Sequence, residues 1–254
     1  MTARSSLGKL ALLAWLVTGC ATLAPVSREP IAPDAQRALA LLETRWREFS
    51  GLRTLAEISI ERGGERQQLQ SVVLAKAPAS VRFEALSPLG QPLLLATISE
   101  GRLTAYDTTT NEAYVGDATA AATARLLGLP FDPDDLVAVL SGHALPPSDV
   151  RTATMKATDA LGPSIELAGK KQRRRIWLDL ESGVVRQLEV SGARGVRVTY
   201  LRNGDGMMDG FDVNTALSML KASVRYRNPQ FGTDVAQDLF TFAVPKGAKV
   251  QHIR

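Results

Sequence analysis

Two kinds of hydrophobic periodicity follow one another along the chain, and they predict a helix first and strands afterwards. Between residues 34 and 51 the apolar side chains recur at helical spacing and form one stripe: Ala38, Leu41, Leu42, Trp46 and Phe49. This spacing is typical of an amphipathic helix. Asp34 is the expected N-cap and Gly51 the expected end of the helix. We expect Trp46 and Phe49 to anchor the helix under a sheet.

From residue 56 onward the period changes to two, which indicates half-buried strands. Ala56, Ile58 and Ile60 alternate with polar residues, Gly63-Gly64 forms a tight turn, and residues 69–75 return as a second strand. Further strands are predicted at 81–85, 93–98, 103–106, 150–156, 164–168, 174–181, 184–191, 196–201, 220–227 and 239–244. Short sequential strands separated by turns are typical of an antiparallel meander.

Two short helices are predicted in the middle of the β-rich chain. Asp117 is the expected cap of a helix from 118 to 127, which Gly128 ends. A second helix starts at Asp132-Pro133 and stops at Gly142. Asp132, Asp134 and Asp135 could be read as a cation site, but a helix start explains them better, because carboxylates favour a helix N-terminus.

The elements together predict a mainly β fold with helices (α+β). We expect a curved antiparallel sheet or unclosed β-barrel of about eleven strands, with an N-terminal helix and a central helical lid. An uncovered apolar concavity would aggregate, so the helices should cover the open side. The cavity so enclosed is predicted to be lined by Ile58, Ile60, Val73, Phe83, Leu95, Leu126, Leu136 and Leu140. Acyl chains gain most from such a cavity, because every buried CH₂ contributes about 0.8 kcal/mol.

The first twenty residues have the layout of a secretory signal. Arg4 and Lys9 lead into an apolar run that ends at Leu16-Val17-Thr18-Gly19-Cys20, and the run is too short to span a membrane. It resembles a bacterial lipobox, which implies that Cys20 is acylated, with palmitate among the chains. The other interpretation is an ordinary signal peptide with an incidental cysteine. We expect a signal peptide at 1–19, a lipidated Cys and flexible tether at 20–33, and a single domain at 34–254.

Composition excludes several functions. Cys20 is the only cysteine, so no intramolecular disulfide is expected. The net charge of +4 is too small to indicate a nucleic-acid-binding surface. His143 and His252 are the only histidines, and no catalytic, cofactor or metal motif is recognised. The densest basic cluster is Lys170, Lys171, Arg173, Arg174 and Arg175. It fits a solvated turn running into an edge strand, or a surface for anionic headgroups or an acidic partner.

The segment from 83 to 142 resembles the outer-membrane lipoprotein receptor family LolB. The marks are Ser87-Pro88-Leu89-Gly90 after an apolar strand, a strand pair, and two helices joined by Leu127-Gly128-Leu129-Pro130. The end of the chain, Phe240-Thr241-Phe242 with Pro245-Lys246-Gly247, is similar to the related LolA carriers. Residues 170–210 do not align convincingly with that family.

The LolB resemblance implies an unclosed barrel that accepts lipidated proteins from a periplasmic LolA-like carrier and inserts them into the outer membrane. It also implies a membrane-insertion loop at Pro88, Leu89 and Gly90, with Leu89 exposed. Ala21, which is not Asp, follows Cys20, and in a Gram-negative host this implies an outer-membrane anchor facing the periplasm. The partners so implied are membrane lipid and acylated lipoprotein cargo, and we expect a monomer.

Three functional hypotheses remain at this point. The first is a lipid-anchored carrier or receptor with an acyl-sized cavity. The second is a non-catalytic envelope scaffold or sensor with a filled barrel and an interacting patch on its convex face or near Arg173–Arg175. The third is a lipid hydrolase with a Ser–His–Asp arrangement around His143, for which no motif in the sequence argues.

Overall fold

The computed structural model describes residues 31–170, 172–192, 195–216 and 220–253. Cys20, the signal peptide and most of the tether lie outside the described residues, as does Lys171. The helices are α1 (Pro33–Glu48), α2 (Ala120–Leu127) and α3 (Pro133–Leu140), with a 3₁₀ turn at Gln237–Phe240. The strands are β1 (Gly51–Arg62), β2 (Glu65–Lys76), β3 (Ser80–Leu86), β4 (Pro92–Ser99), β5 (Arg102–Asp107), β6 (Glu112–Asp117), β7 (Thr152–Asp159), β8 (Gly162–Ala168), β9 (Arg173–Leu178), β10 (Val185–Ser191), β11 (Val196–Arg202), β12 (Met208–Thr215), β13 (Lys221–Phe231) and β14 (Lys249–Ile253).

All fourteen described strands belong to one curved, unclosed sheet with the order β14-β6-β5-β4-β3-β2-β1-β13-β12-β11-β10-β9-β8-β7. Two antiparallel meanders, β1–β6 and β7–β13, meet where β1 pairs with β13. The parallel pairing of β14 with β6 completes one edge. The predicted fold class, mainly β with an N-terminal helix and a central helical pair, is confirmed.

The sequence pattern missed three strands, β6, β12 and β14. Gly116 and Gly210 interrupt the alternation of β6 and β12, and β14 lies at the sheet edge with mostly exposed side chains. The strand predicted at 239–244 is wrong. Phe240 ends a 3₁₀ turn there and is fully buried, so its hydrophobicity reflects an anchor and not a strand.

The helical pair crosses the concave face because of the strand order. The chain leaves β6 beside one edge of the sheet and enters β7 at the opposite edge, so the segment between them must traverse the sheet. Within that crossing α3 packs against β2 and β3. Gly128 ends α2 in the left-handed conformation (φ 73°), as predicted. The α2 cap, however, is Thr119 and not Asp117, which belongs to β6.

The predicted ends of α1 are both shifted. Ala32 is the N-cap with Pro33 after it, so Asp34 lies inside the first turn. The helix ends at Glu48, and Gly51 is the first residue of β1. A Cβ at Gly51 would crowd the carbonyl of Thr233, so glycine serves there to let a second segment pass closely.

That second segment, residues 232–248, crosses the convex face and forms a separate small core. Val235 and Phe240 pack there with Leu74 of β2. Lys76 Nζ donates a hydrogen bond to the carbonyl of Val235 at 2.7 Å, and Arg82 Nη1 donates to that of Leu239 at 2.8 Å. The sheet is therefore covered on both faces near β2. Among the described helices, none has the length and apolarity that crossing a bilayer would require.

Candidate functional site

A largely enclosed cavity of about 80 Å³ lies between the concave face and the helical pair, and its lining residues are all hydrophobic. The sheet contributes residues from β1, β2, β3, β12 and β13, and the helical segment contributes four leucines. Six of the eight residues singled out from the sequence line it: Ile58, Ile60, Val73, Phe83, Leu136 and Leu140. The cavity is dry in character, because none of its walls offers a hydrogen-bonding side chain.

Leu95 and Leu126 do not line this cavity. Leu95 lies opposite Glu84 in the β3–β4 register, whereas Leu94 lies opposite the inward-facing Ala85. A one-residue error in a strand exchanges the two faces, and the uninterrupted run Leu93–Leu95 gives no alternation to prevent that error. On α2, the neighbouring Leu127 lines the cavity in place of Leu126, since consecutive helical residues point about 100° apart.

The two helices over the cavity are held very differently. In α3 the last five residues are buried, and Tyr226 of β13 donates a hydrogen bond to the carbonyl of Leu140 at 2.6 Å. Tyr200 of β11 donates to the carbonyl of His143 at 2.6 Å. In α2 only Ala122 and Thr123 are buried. Most of the described tertiary anchoring therefore belongs to α3, and α2 is the more weakly held cover.

The start of α3 carries a buried ion pair and not a cation site. Arg174 donates to both carboxylate oxygens of Asp135 at 2.6 Å, and its side chain is only 4% exposed. Burial raises the pKa of Asp135, and the Arg174 guanidinium opposes that rise. Asp132 instead accepts a hydrogen bond from the backbone N–H of Ala120, which ties the two helices together. Within the described residues no cluster of three metal-ligating side chains occurs.

This ion pair also changes the interpretation of the basic cluster. Arg174 points into the protein, and Arg175 pairs with Asp159 at 2.7 Å while its guanidinium lies 4.2 Å from the ring centre of Trp177. Lys170 and Arg173 are the exposed members among those described, and Arg173 forms a long ion pair with Glu166 at 3.9 Å. The cluster is therefore mostly a structural feature of β9.

His143 lies at the junction of α1, α3 and the sheet. Its ring packs 5.8 Å from Trp46 and 5.5 Å from Phe49, between ring centres. Burial lowers the pKa of His143 to about 4, with further lowering by the charges of Arg45 and Arg202. Ser141 Oγ lies 2.9 Å from Nδ1, but the other ring interaction is with the backbone of Arg45 and not with a carboxylate. The arrangement is a packing junction and lacks the third member of a triad.

The loop between β3 and β4 holds Leu89 out of the protein. Gly90 N–H donates to the carbonyl of Ser87 at 2.8 Å, and Ser87 Oγ accepts from the N–H groups of Leu89 and Gln91. Gly90 has φ +76°, which favours glycine. Leu89 is 86% exposed. This tight, internally bonded turn gives Leu89 no route back to the core.

An open groove of about 620 Å³ begins at Pro88 of this loop. Its walls include Glu57 and Gln70, which lie opposite each other on the convex face of β1 and β2, so the sheet separates the groove from the cavity. The β2–β3 pairing ends at Gln70 and Leu86, so the loop begins next to Leu69, which lines the cavity. Sequence reasoning treated the loop and the cavity as separate features, because only the β2–β3 register brings them together.

Comparisons with known proteins give the fold. No family model matches the chain, and no curated protein matches it. Among solved structures, a LolA superfamily protein from Nitrosomonas europaea aligns with a TM-score of 0.56 and 13% identity, covering 83% of this chain and 99% of that one. A domain named for outer membrane lipoprotein sorting, from Vibrio parahaemolyticus, aligns with a TM-score of 0.57 and 11% identity over 81% and 97% of the two chains.

A third solved structure extends the same likeness. A DUF1329 family protein from Desulfovibrio piger aligns with a TM-score of 0.58 and 13% identity, covering 84% of this chain and 97% of that one. Identities this low show a shared architecture and no more. The chain therefore has the LolA-like α+β fold, an unclosed curved sheet with helices over its concave face.

Proposed function

We propose that this protein is a lipid-anchored carrier that binds the acyl chains of lipoproteins and delivers them to the outer membrane. The observation that carries the proposal is the wholly hydrophobic cavity between the concave sheet and a weakly held helix. The fold shared with a lipoprotein-sorting domain supports it. In this proposal Cys20 carries the acyl anchor, residues 20–33 are the tether, residues 34–254 act as one domain facing the periplasm, and a LolA-like carrier supplies the cargo.

Binding an acyl chain requires the cavity to open. Its volume of about 80 Å³ is well below the roughly 300–1,000 Å³ of ordinary ligand pockets. We infer that α2 moves, because it buries few residues and carries Leu127 at the cavity wall, while the tyrosine hydrogen bonds hold α3 in place. At about 0.8 kcal/mol for each buried CH₂, a long acyl chain can offset the loss of the few contacts that hold α2.

Leu89 is the proposed exit point. A leucine fixed outside the protein can enter the acyl region of a bilayer, and the loop that carries it begins next to Leu69 of the cavity lining. Cargo leaving the cavity at this edge would meet lipid and not water. Delivery would then proceed without exposing the acyl chains to solvent, which is the costly step.

The experiment is native mass spectrometry of the purified Cys20→Ser chain, which carries no acyl group of its own, with a palmitoylated peptide and its non-acylated counterpart. We expect stoichiometric uptake of the palmitoylated peptide alone. Leu89→Glu should keep that uptake and lose transfer of the peptide to liposomes. The matched control is Leu161→Glu, an exposed leucine in the β7–β8 turn, which should keep both activities.

A second candidate function is an envelope scaffold or sensor that uses the same fold. The small cavity volume favours it, because a filled interior needs no cargo. If neither peptide binds, the carrier proposal is refuted and the scaffold function takes its place. We propose no catalytic activity, since the Ser141–His143 contact has no carboxylate partner.

A further inference from the structure

Three β-hairpins end at the same rim of the sheet and border an open pocket. They are β1–β2, β12–β13 and β10–β11, and the strand register brings their ends together. Glu61 lies opposite Lys221, Thr215 lies opposite Val196, and Val196 lies opposite Val190. This rim pocket has a volume of about 870 Å³, and all five residues belong to its wall.

The rim pocket reaches the inner face of the sheet as well as the convex face. Val190 and Val196 of its wall pack in the main hydrophobic core, so they face inward. Glu189 and Arg197 alternate with them along β10 and β11, and these two form an ion pair at 2.6 Å on the convex side. The pocket therefore passes over the ends of the strands, and its inner side is apolar.

Leu220 lies between the rim pocket and the cavity. Among the described residues it alone lines both, and it is only 3% exposed. Its side chain packs against the end of α2, where a Cβ at Gly128 would lie 3.4 Å from Leu220 Cδ1. On one side of this leucine is the cavity of about 80 Å³, and on the other is the open rim pocket of about 870 Å³.

The backbone of Leu220 is held by Thr215 at the end of β12. The N–H of Thr215 donates a hydrogen bond to the carbonyl of Leu220 at 3.0 Å, and the N–H of Leu220 donates to Thr215 Oγ1 at 3.3 Å. Leu220 also directly precedes β13, whose first residue is Lys221. Movement of α2 would therefore leave Leu220 in place at the end of the cavity.

We propose that Leu220 limits the length of the acyl chain that the protein accepts, because its side chain closes the cavity toward the rim pocket. This inference rests on the proposed carrier function and adds a chain-length preference to it. A chain that enters under α2 fills the cavity and meets Leu220 at its end. Each CH₂ inside the cavity raises the affinity about fourfold, whereas each CH₂ beyond the limit stays in water and contributes nothing.

The test measures affinity against chain length. A peptide that carries an octanoyl, lauroyl, palmitoyl or stearoyl group is titrated by fluorescence competition into the Cys20→Ser chain, with and without Leu220→Ala. We expect the affinity of the parent to stop rising at one length and that of Leu220→Ala to rise to a longer one, by up to about fourfold for each added CH₂. Leu220→Val, which serves if Leu220→Ala does not fold, should shift the limit in the same direction by less.

The matched control is Leu136→Ala on α3, a leucine of similar burial that lines the cavity but not the rim pocket. It removes the same atoms without opening a passage, so its length limit should move less than that of Leu220→Ala. Ala216→Trp fills the rim pocket from its exposed wall. Added to Leu220→Ala it should cancel the extra length, and added to Leu136→Ala it should change nothing.

The outcomes separate this inference from the carrier function. A parent affinity that rises through the whole series, the same limit in the parent and in Leu220→Ala, or an equal shift in both leucine variants would overturn the assignment of Leu220. Each of these results would leave the carrier function intact. Failure of the parent chain to bind any of the acylated peptides would refute the carrier function and this inference with it.

Discussion

His143 should make the stability of this protein sensitive to mild acid. The imidazole is packed against Trp46 and Phe49, and burial together with the charges of Arg45 and Arg202 lowers its pKa from 6.5 to about 4. The folded state therefore binds this proton less readily than the unfolded state does. Acidification must favour unfolding over the interval between the two pKa values.

The size and sign of the effect follow from linkage. The contribution of His143 is fully present above about pH 6.5 and is lost as the pH falls toward 4, where the full difference is about 3 kcal/mol. At pH 5 the loss is already about 2 kcal/mol. A cation formed there would lie among two arginines and two aromatic rings, so we expect the C-terminal end of α1 to separate first from α3.

The assay is urea unfolding followed by circular dichroism at pH 7.5, 6 and 5. The parent chain is compared with His143→Gln, which stays neutral throughout, and with His252→Gln, which alters an exposed residue of β14. We expect the difference in unfolding free energy between pH 7.5 and pH 5 to be about 2 kcal/mol smaller for His143→Gln than for the parent. His252→Gln should behave like the parent. Identical pH dependence in the parent and in His143→Gln would refute the reasoning.

Two further predictions concern stability. Asp135→Ala leaves the buried Arg174 without its carboxylate and should lower the free energy of unfolding in urea by about 3–5 kcal/mol. The double variant Asp135→Leu with Arg174→Met should recover most of that loss. Equal stability of Asp135→Ala and the parent would contradict the ion-pair argument. Gly116→Ala places a Cβ against the carbonyl of Ile253 and should lower the free energy of unfolding by about 1–3 kcal/mol. Amide hydrogen exchange should become faster in β14, which pairs with β6, and stay the same in β1. Unchanged exchange in β14 would contradict this prediction.

The strand pattern was informative wherever one face alternates cleanly. Ile58 and Ile60 were placed on the inner face from the sequence, and the structure puts them there, because their polar neighbours fix the register. The run Leu93–Leu95 has no such neighbours, and the structure puts Leu95, which was expected inside, on the convex face and Leu94 on the inner one. The hydrophobicity of residues around Phe240 led to the wrong prediction of a strand, because Phe240 anchors a turn on the convex face.

The role of each glycine could also not be read from its neighbours in the sequence alone. Gly128 ends a helix because its own backbone needs a positive φ, which is a local requirement that a sequence can reveal. Gly51 and Gly116 are required by segments far away in the chain, Thr233 and Ile253, that approach their backbones closely. Nothing near them in the sequence records that approach.

The sequence by itself thus determined the local features of the protein. These are the periodicity of helix and strands, the helical pair, the Ser87–Gly90 turn and the apolar composition of the inner face. Tertiary structure alone decided which of these features meet. It placed Arg174 on Asp135, His143 against two aromatic rings, and the loop of Leu89 next to the cavity lining. The physical reason is that side-chain pairing across a fourteen-stranded sheet depends on strand order, and strand order depends on long-range contacts that no local pattern encodes.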